Sequence, residues 1–158
     1  LGRHPYNFRT TTISTATPLR AVKAIKLASG AGTFQADEKI TQATTGAIGK
    51  VVEYDSTNRI LYYQQEKFAD FGVASDGDKI AFSGTNTITG ATSSATGAPD
   101  DGADSAVSLT GGNTITFTNG FANEEIEPDS GDLMYFETRR PISRATDQTE
   151  DIKLIIEF

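Results

Sequence analysis

The closing segment, residues 131–158, constrains the fold most strongly, because apolar and polar residues alternate along it up to the last residue. In Leu133–Thr138 apolar side chains fall on both faces, and in Ile152–Phe158 they fall mainly on one. Pro141 removes a backbone donor, so the first of these strands is expected to end near Arg140. The chain is therefore predicted to close with two β-strands, the last held in a sheet.

Earlier segments also read as strands rather than helices. The alternation in 22–27 predicts a strand, and the β-rich runs 48–54 and 60–64 flank a polar turn over 55–59. These two runs are predicted to form a hairpin, with Val52 and Tyr54 on the same face as Ile60 and Tyr62.

The middle of the chain is less strongly patterned. Residues 83–112 contain few large apolar side chains, which favours either a long exposed loop or thin, threonine-rich strands. Residues 113–118 alternate, and Asn119-Gly120 predicts a turn after them. Similar short groups about 40 residues apart, 38–40 with 78–80 and 45–47 with 89–91, allow two stacked hairpin units or a chance coincidence.

Together these patterns predict an all-β fold, an antiparallel β-sandwich built from the N- and C-terminal strands with an inserted β-hairpin-rich module. A content of 15 Gly suits a protein with many turns. Residues 29–32, Ser-Gly-Ala-Gly, are a predicted boundary. Residues 1–29 and 126–158 are assigned to the sandwich domain and residues 30–125 to the inserted module.

Composition argues against several classes of function. With no cysteine the chain has no disulfide, thiolate metal site or cysteine nucleophile. A net charge of −7 disfavours nucleic acid as a partner. No run approaches the roughly 18 apolar residues of a membrane helix. The only histidine, His4, lies close to the first residue and is a poor candidate for a catalytic base. We therefore predict no enzyme activity, no cofactor and no metal site.

A family resemblance rests on two blocks of sequence. Residues 6–25 and 128–158 resemble the C-terminal portion of the dimeric baseplate wedge subunit of T-even-like, contractile-tailed bacteriophages. The first block carries Phe8-Arg9, Ile13 and Pro18-Leu19. The matching positions of the second block are Gly131, Asp132, Tyr135, Glu137, Arg139, Pro141, Ile142, Asp147, Gln148, Thr149, Glu150 and Phe158.

The resemblance implies a structural component of a phage tail baseplate that acts through protein–protein contacts. It implies a homodimer among other baseplate proteins, located in the virion and assembled in the host cytoplasm. Members of that family are longer, and Leu1 is not a usual start residue, so the chain is expected to be a fragment. The intervening hundred or so residues do not align with the family.

Charged residues around the predicted connection between the last two strands form the first candidate site. Bidentate arginine–carboxylate pairs there would either lock the loop within one chain or reach across a subunit boundary. The candidates are Glu137, Arg139, Arg140, Arg144, Asp147 and Glu150.

A carbohydrate- or cell-surface-binding module is the alternative function. It would use Tyr54, Tyr62 and Tyr63 as a surface aromatic patch for a host glycan, although core or cross-strand packing is also expected of such rings. A hydrolase would need two converging carboxylates in a cleft within residues 34–127. The Asp-rich loops at 76–78 and 100–104 lack the spacing of a calcium loop and read as polar turns.

Overall fold

A computed structural model describes residues 6, 7, 9, 12, 20–66, 72–102, 104–109 and 112–126, and within them all regular structure is antiparallel β. The prediction of an all-β, sandwich-like fold is confirmed. The strands are β1 (Lys23–Ala31), β2 (Lys39–Gln42), β3 (Ile48–Asp55), β4 (Ile60–Gln64), β5 (Ile88–Gly90), β6 (Thr96–Pro99), β7 (Ser105–Ser108), β8 (Thr114–Phe117) and β9 (Phe121–Ala122).

Six of these strands close into a barrel. The sheet order is β4-β3-β2-β5-β6-β1, and β1 also pairs with β4, so the two ends of the sheet meet. The length of β1 makes closure feasible: Lys23–Lys26 pairs with β4, whereas Leu27–Ala31 pairs with β6 through a ladder that has a bulge between Leu27 and Ser29. Closure leaves these strands without long unpaired edges.

The barrel encloses the larger of two hydrophobic cores. This inner core contains Ile25, Leu27, Phe34, Ile40, Ala47, Val51, Leu61, Tyr63, Phe82, Ile88 and Ala95. An outer core lies on the other face of β1 and β4, where Ala24 and Ile60 pack with Ile115 and Phe117 of β8 and Ala122 of β9. β1 and β4 are therefore buried on both faces; the β7–β8 hairpin adds a second layer over them, and β9 pairs with β1 in the main sheet.

Two similar hairpins form four consecutive strands of the barrel wall, in the order β3-β2-β5-β6. We call β2–β3 with its preceding loop (34–51) the first unit and β5–β6 with its preceding loop (82–99) the second unit. They superpose in sequence with a spacing of 48, since Ile40 corresponds to Ile88. The identical pairs are Phe34 and Phe82, Ile40 and Ile88, Thr41 and Thr89, Ala43 and Ala91, Thr44 and Thr92, Ala47 and Ala95, and Gly49 and Gly97.

The backbone pairing makes the relation between the units a pseudo-twofold axis. Ile40 pairs with Gly90, Gln42 with Ile88, and Thr41 with its own counterpart Thr89. The flanking hydrogen bonds are reciprocal too, from Ala43 N to Thr87 O and from Ala91 N to Lys39 O, both 2.9 Å. Two hairpin units are thus present, but they pair edge to edge in one sheet rather than stack, and the predicted alignment at about 40 residues was wrong.

The hairpin predicted over 48–64 is confirmed as β3–β4, but its predicted facing was wrong. A bulge between Val51 and Glu53 shifts the register, which moves Tyr54 to the side of the inner core. Ile60 and Tyr62 face the outer core, and Val52 is 43% exposed. One extra residue in one strand exchanges the faces of every side chain beyond it.

The weakly patterned middle of the chain also contains strands. Residues 83–112 contain the short strands β5, β6 and β7, which agrees with the thin-strand alternative. Asn119 and Gly120 have φ of 51° and 81°, the left-handed pair that a tight hairpin turn between β8 and β9 requires. The turn is closed by hydrogen bonds between Thr118 and Phe121 in both directions, at 2.9 and 3.0 Å.

The division into a domain of residues 1–29 and 126–158 and a module of 30–125 stays a prediction, because most of the first domain lies outside the described residues. Where the boundary was placed, β1 runs on through Ser29 and Gly30 to Ala31. β1 also pairs with β4, β6 and β9 of the module. In this part of the chain the two predicted regions therefore share one sheet.

Candidate binding cleft

An open cleft of about 570 Å³ lies beside the bulge of β1. Three walls surround it: the bulged part of β1 with Asp100, the turn between β3 and β4, and the strand β7. Its lining residues are Lys26, Leu27, Ala28, Thr57, Asn58, Arg59, Asp100, Ala106, Val107 and Ser108.

The turn wall is held by one carboxylate. Asp55 Oδ1 accepts hydrogen bonds from the backbone N–H groups of Thr57 (2.9 Å) and Asn58 (3.0 Å). Its Oδ2 accepts from the Asn58 side-chain amide at 2.7 Å. These bonds, that of the Asn58 amide foremost, hold the pKa of Asp55 below its usual range. The sequence Asp-Ser-Thr-Asn therefore fixes the turn locally, as such residues do in turns.

Arg59 ends this turn and joins it to the bulge. Its φ is 55°, a left-handed conformation that brings its carbonyl within 2.8 Å of the Leu27 N–H. One guanidinium nitrogen, Nη1, donates to the Ala28 carbonyl at 2.8 Å. An arginine has five N–H donors, and this exposed side chain uses Nη1 alone for a hydrogen bond within the part of the chain that the structure describes. Arg59 is thus positioned by the backbone and still has donors to offer.

The floor of the cleft carries an ion pair. Lys26 Nζ lies 3.6 Å from Asp100 Oδ2, and both side chains are partly exposed. The backbone N–H of Asp100 donates to the Lys26 carbonyl at 2.9 Å. Two cations and one anion therefore line the cleft, which gives it a local charge of +1 within a chain of net charge −7.

The third wall is an edge strand. Among the described residues β7 pairs with β8 alone. Leu109 N–H bonds across the hairpin to Asn113 O at 2.7 Å. By the alternation of an antiparallel ladder, Val107 then points its backbone groups at β8, and Ala106 and Ser108 point theirs away from it. The backbone polar groups of Ala106 and Ser108 therefore lie on the edge of β7 that no other described strand covers, which we call the open edge.

The three tyrosines of the predicted aromatic patch do not share one exposed face. Tyr63 is 4% exposed and contacts Phe82 in the inner core, with ring centroids 4.9 Å apart. Tyr62, its neighbour in β4, packs against the outer core, and Tyr54 contacts Phe34 at 5.3 Å. Burial raises the pKa of both Tyr62 and Tyr63. The rings are used in cross-strand and core packing.

The predicted charged cluster lies outside the described residues, as does His4. This applies to Glu137, Arg139, Arg140, Arg144, Asp147 and Glu150.

The Asp-rich loops are described in part and form polar turns. Asp76 accepts from the Asp78 N–H at 3.0 Å, and Asp104 accepts from the Asn119 N–H at 3.3 Å. In the described ranges no three His, Cys, Asp or Glu side chains converge as metal ligands would.

Sequence reasoning missed the two most highly connected buried polar residues. Glu38 and Gln42 are 4% and 1% exposed, and each joins the two hairpin units through its side chain. Neither lies in a segment that the sequence analysis predicted as a strand, and a single polar residue gives no local signal that it is buried. Arg59 was placed in a turn, but its role at the cleft depends on the distant bulge of β1.

No protein-family model, curated protein or solved structure matches this chain. Over the ranges that the structure describes, there is no helix with the length and apolarity needed to cross a membrane.

Proposed function

We propose that the chain is a structural component of a contractile phage tail baseplate and acts through lasting protein–protein contacts, without catalysis. The observation that supports a structural role is the closed barrel, in which the buried side chains of Glu38, Gln42 and Gln65 form hydrogen bonds within the fold. Glu38, for example, accepts four hydrogen bonds from Gln35, Thr92 and Ser93. A rigid module of this kind suits an assembly in which fixed surfaces are needed.

The assignment to a baseplate rests on the sequence resemblance of residues 6–25 and 128–158. In this proposal the chain forms a homodimer, and some of the Arg139, Arg140 and Arg144 side chains reach the partner subunit. Replacing Arg139 or Arg140 by Ala would then shift the oligomer toward monomer in multi-angle light scattering, while the melting temperature stays close to that of the wild type. An unchanged dimer in both variants would contradict their placement at a boundary.

The decisive experiment locates the protein in virus particles. Contractile-tailed particles produced from the genome that encodes this chain would be purified, dissociated into tails and heads, and analysed by peptide mass spectrometry. Antibodies against the chain, applied to intact particles, are expected to label the end of the tail distal to the head. Absence of the chain from purified tails would refute the baseplate proposal, whatever its oligomeric state.

Carbohydrate binding remains the alternative proposal, and the packing of the tyrosines lowers its rank. A stacking platform for a sugar needs exposed rings, and Tyr63 is buried while Tyr62 packs on the outer core. Glycan-array binding that disappears on Tyr62→Ala, in a protein absent from tails, would favour this alternative over the baseplate.

A further inference from the structure

The open edge of β7 and the Arg59 turn face the same cleft, and this arrangement carries an inference about partners. An unpaired strand edge presents alternating N–H and C=O groups that can bind another extended chain. On β7 these groups belong to Ala106 and Ser108, both of which are exposed. The cleft extends from them to the turn at 57–59.

Charge determines what kind of chain would fit. Lys26 is already paired with Asp100 at 3.6 Å. Arg59 has, among the described residues, only the carbonyl of Ala28 as a side-chain partner. An exposed guanidinium with unused donors favours a carboxylate, which it can bind through two parallel hydrogen bonds. An acidic residue in the added chain would therefore gain most from this cleft.

We propose that the cleft binds an extended segment of another protein, which adds as a strand to the open edge of β7 and places a carboxylate on Arg59. This inference rests on the proposed function, because it supplies one of the protein–protein contacts of an assembly component. In such a mode backbone hydrogen bonds provide affinity, and the arginine provides the preference for Asp or Glu.

The experiment is a selection from a display library of random peptides about eight residues long, enough to span an edge strand of this size. The bait is the full chain. Peptides with alternating β-branched residues and one Asp or Glu are expected to be enriched. The leading peptide would be synthesised and its affinity measured by fluorescence anisotropy. Failure to enrich any peptide of this pattern would overturn the proposal.

Two variants with matched controls locate the site. Ser108→Pro removes an outward N–H and leaves the β8 ladder intact, so it is expected to abolish binding, whereas Ser108→Ala keeps the donor and binds normally. Arg59→Gln is expected to weaken binding about tenfold and to erase the preference for Asp over Asn in the peptide. Circular dichroism spectra like that of the wild type would show that both variants fold.

Three results would count against the inference. Binding that survives Ser108→Pro would mean that the peptide sits elsewhere. Equal loss of the Asp and Asn peptides in Arg59→Gln would deny the carboxylate contact. A wild-type oligomer that becomes monomeric in Ser108→Pro would identify the occupant as a second copy of this chain. Each of these leaves the particle-labelling experiment unaffected, so failure here is distinguishable from failure of the baseplate assignment.

Discussion

The two hairpin units have the same backbone fold, but different side chains form the hydrogen bonds at the two junctions between them. At each junction the loop of one unit meets the turn of the other, and one side chain fills the space between them. At the first junction this is Glu38, from the loop, opposite Gly90. At the second it is Gln42, from the strand, opposite the loop residue Asn86. The symmetry-related pairs are thus Glu38/Gly90 and Asn86/Gln42.

The surroundings explain which group is used at each junction. The Glu38 carboxylate accepts from Gln35 N (2.7 Å), Ser93 Oγ (2.7 Å), Thr92 N (3.0 Å) and Ser93 N (2.9 Å). These contacts are all donors, which a carboxylate satisfies.

Around Gln42 the partners are mixed. Its Oε1 accepts from Ser83 N (3.0 Å) and Thr45 Oγ1 (2.9 Å), and its Nε2 donates to the carbonyls of Ser83 (2.9 Å) and Asn86 (3.1 Å). An amide matches two donors and two acceptors. The local balance of donors and acceptors, rather than the shared backbone, therefore determines whether the side chain at each junction is charged or neutral.

Removing the space for the carboxylate should have the largest effect. A Cβ at Gly90 would lie 2.7 Å from both oxygens of Glu38 and 2.6 Å from Ser93 Oγ. In Gly90→Ala the carboxylate must leave its donors, which we expect to lower the free energy of unfolding by about 3 kcal/mol in urea titrations. Gly102→Ala is the control, since its Cβ would contact only Asp100 Oδ1, at 3.3 Å. Equal stability of the two variants would show that the junction contributes little.

Exchanging the chemistry of the two junctions should give losses of stability that disappear in different ranges of pH. Burial disfavours the charge of Glu38, but the hydrogen bonds from Ser93, Gln35 and Thr92 outweigh it and hold its pKa below the ordinary 4.5. This contribution to stability is therefore present above pH 4.5 and is lost as the pH falls through the lower, folded-state value. Glu38→Gln should cost about 2 kcal/mol near neutral pH and progressively less in acid.

The loss in Gln42→Glu should also shrink in acid, but at higher pH, above the ordinary 4.5 of a glutamate. A carboxylate there would face the carbonyls of Ser83 and Asn86 without a donor from its own side chain, so its pKa should rise. We expect a loss of about 2 kcal/mol near neutral pH that is recovered as the group is protonated in acid. Urea titrations between neutral and acidic pH would measure both profiles, and recovery of the two losses over the same range of pH would refute the assignment of charge to one junction and neutrality to the other.

Paired hydroxyl deletions should give the smallest difference. Ser93 Oγ donates to Glu38 at 2.7 Å and accepts from Ala95 N at 3.1 Å. Its counterpart Thr45 Oγ1 donates to Gln42 at 2.9 Å and accepts from Ala47 N at 3.2 Å. Because a hydrogen bond to a charged group is the stronger, Ser93→Ala should cost about 1.5 kcal/mol and Thr45→Ala about 1 kcal/mol. A larger loss for Thr45→Ala in thermal unfolding would contradict this order.

Much of the fold could be predicted from local pattern. Alternation indicated β1, β3, β4 and β8, and Asn119-Gly120 indicated the turn before β9, because these signals depend on residues adjacent in the chain. The sequence indicated a repeat but gave the wrong spacing between its two copies. Matching short triplets equated 45–47 with 89–91. In the structure the equivalent positions are instead those with the same backbone hydrogen bonds in the two units, such as Ala47 and Ala95. In the candidate patch, a bulge in β3 that leaves no clear mark in sequence separates Tyr54 from Tyr62, and ordinary strand alternation separates Tyr62 from Tyr63.

The sequence by itself determined that this chain builds antiparallel β-structure with tight polar turns, because side-chain alternation and turn chemistry act over a few neighbouring residues. Only the tertiary structure decided that the strands close into a barrel, that Glu38 and Gln42 are buried, and that Arg59 meets the edge of β7 across a cleft. Those relations join residues far apart in the chain, as between Glu38 and Ser93, which are 55 positions apart. Long-range pairing sets them, and no local pattern encodes it.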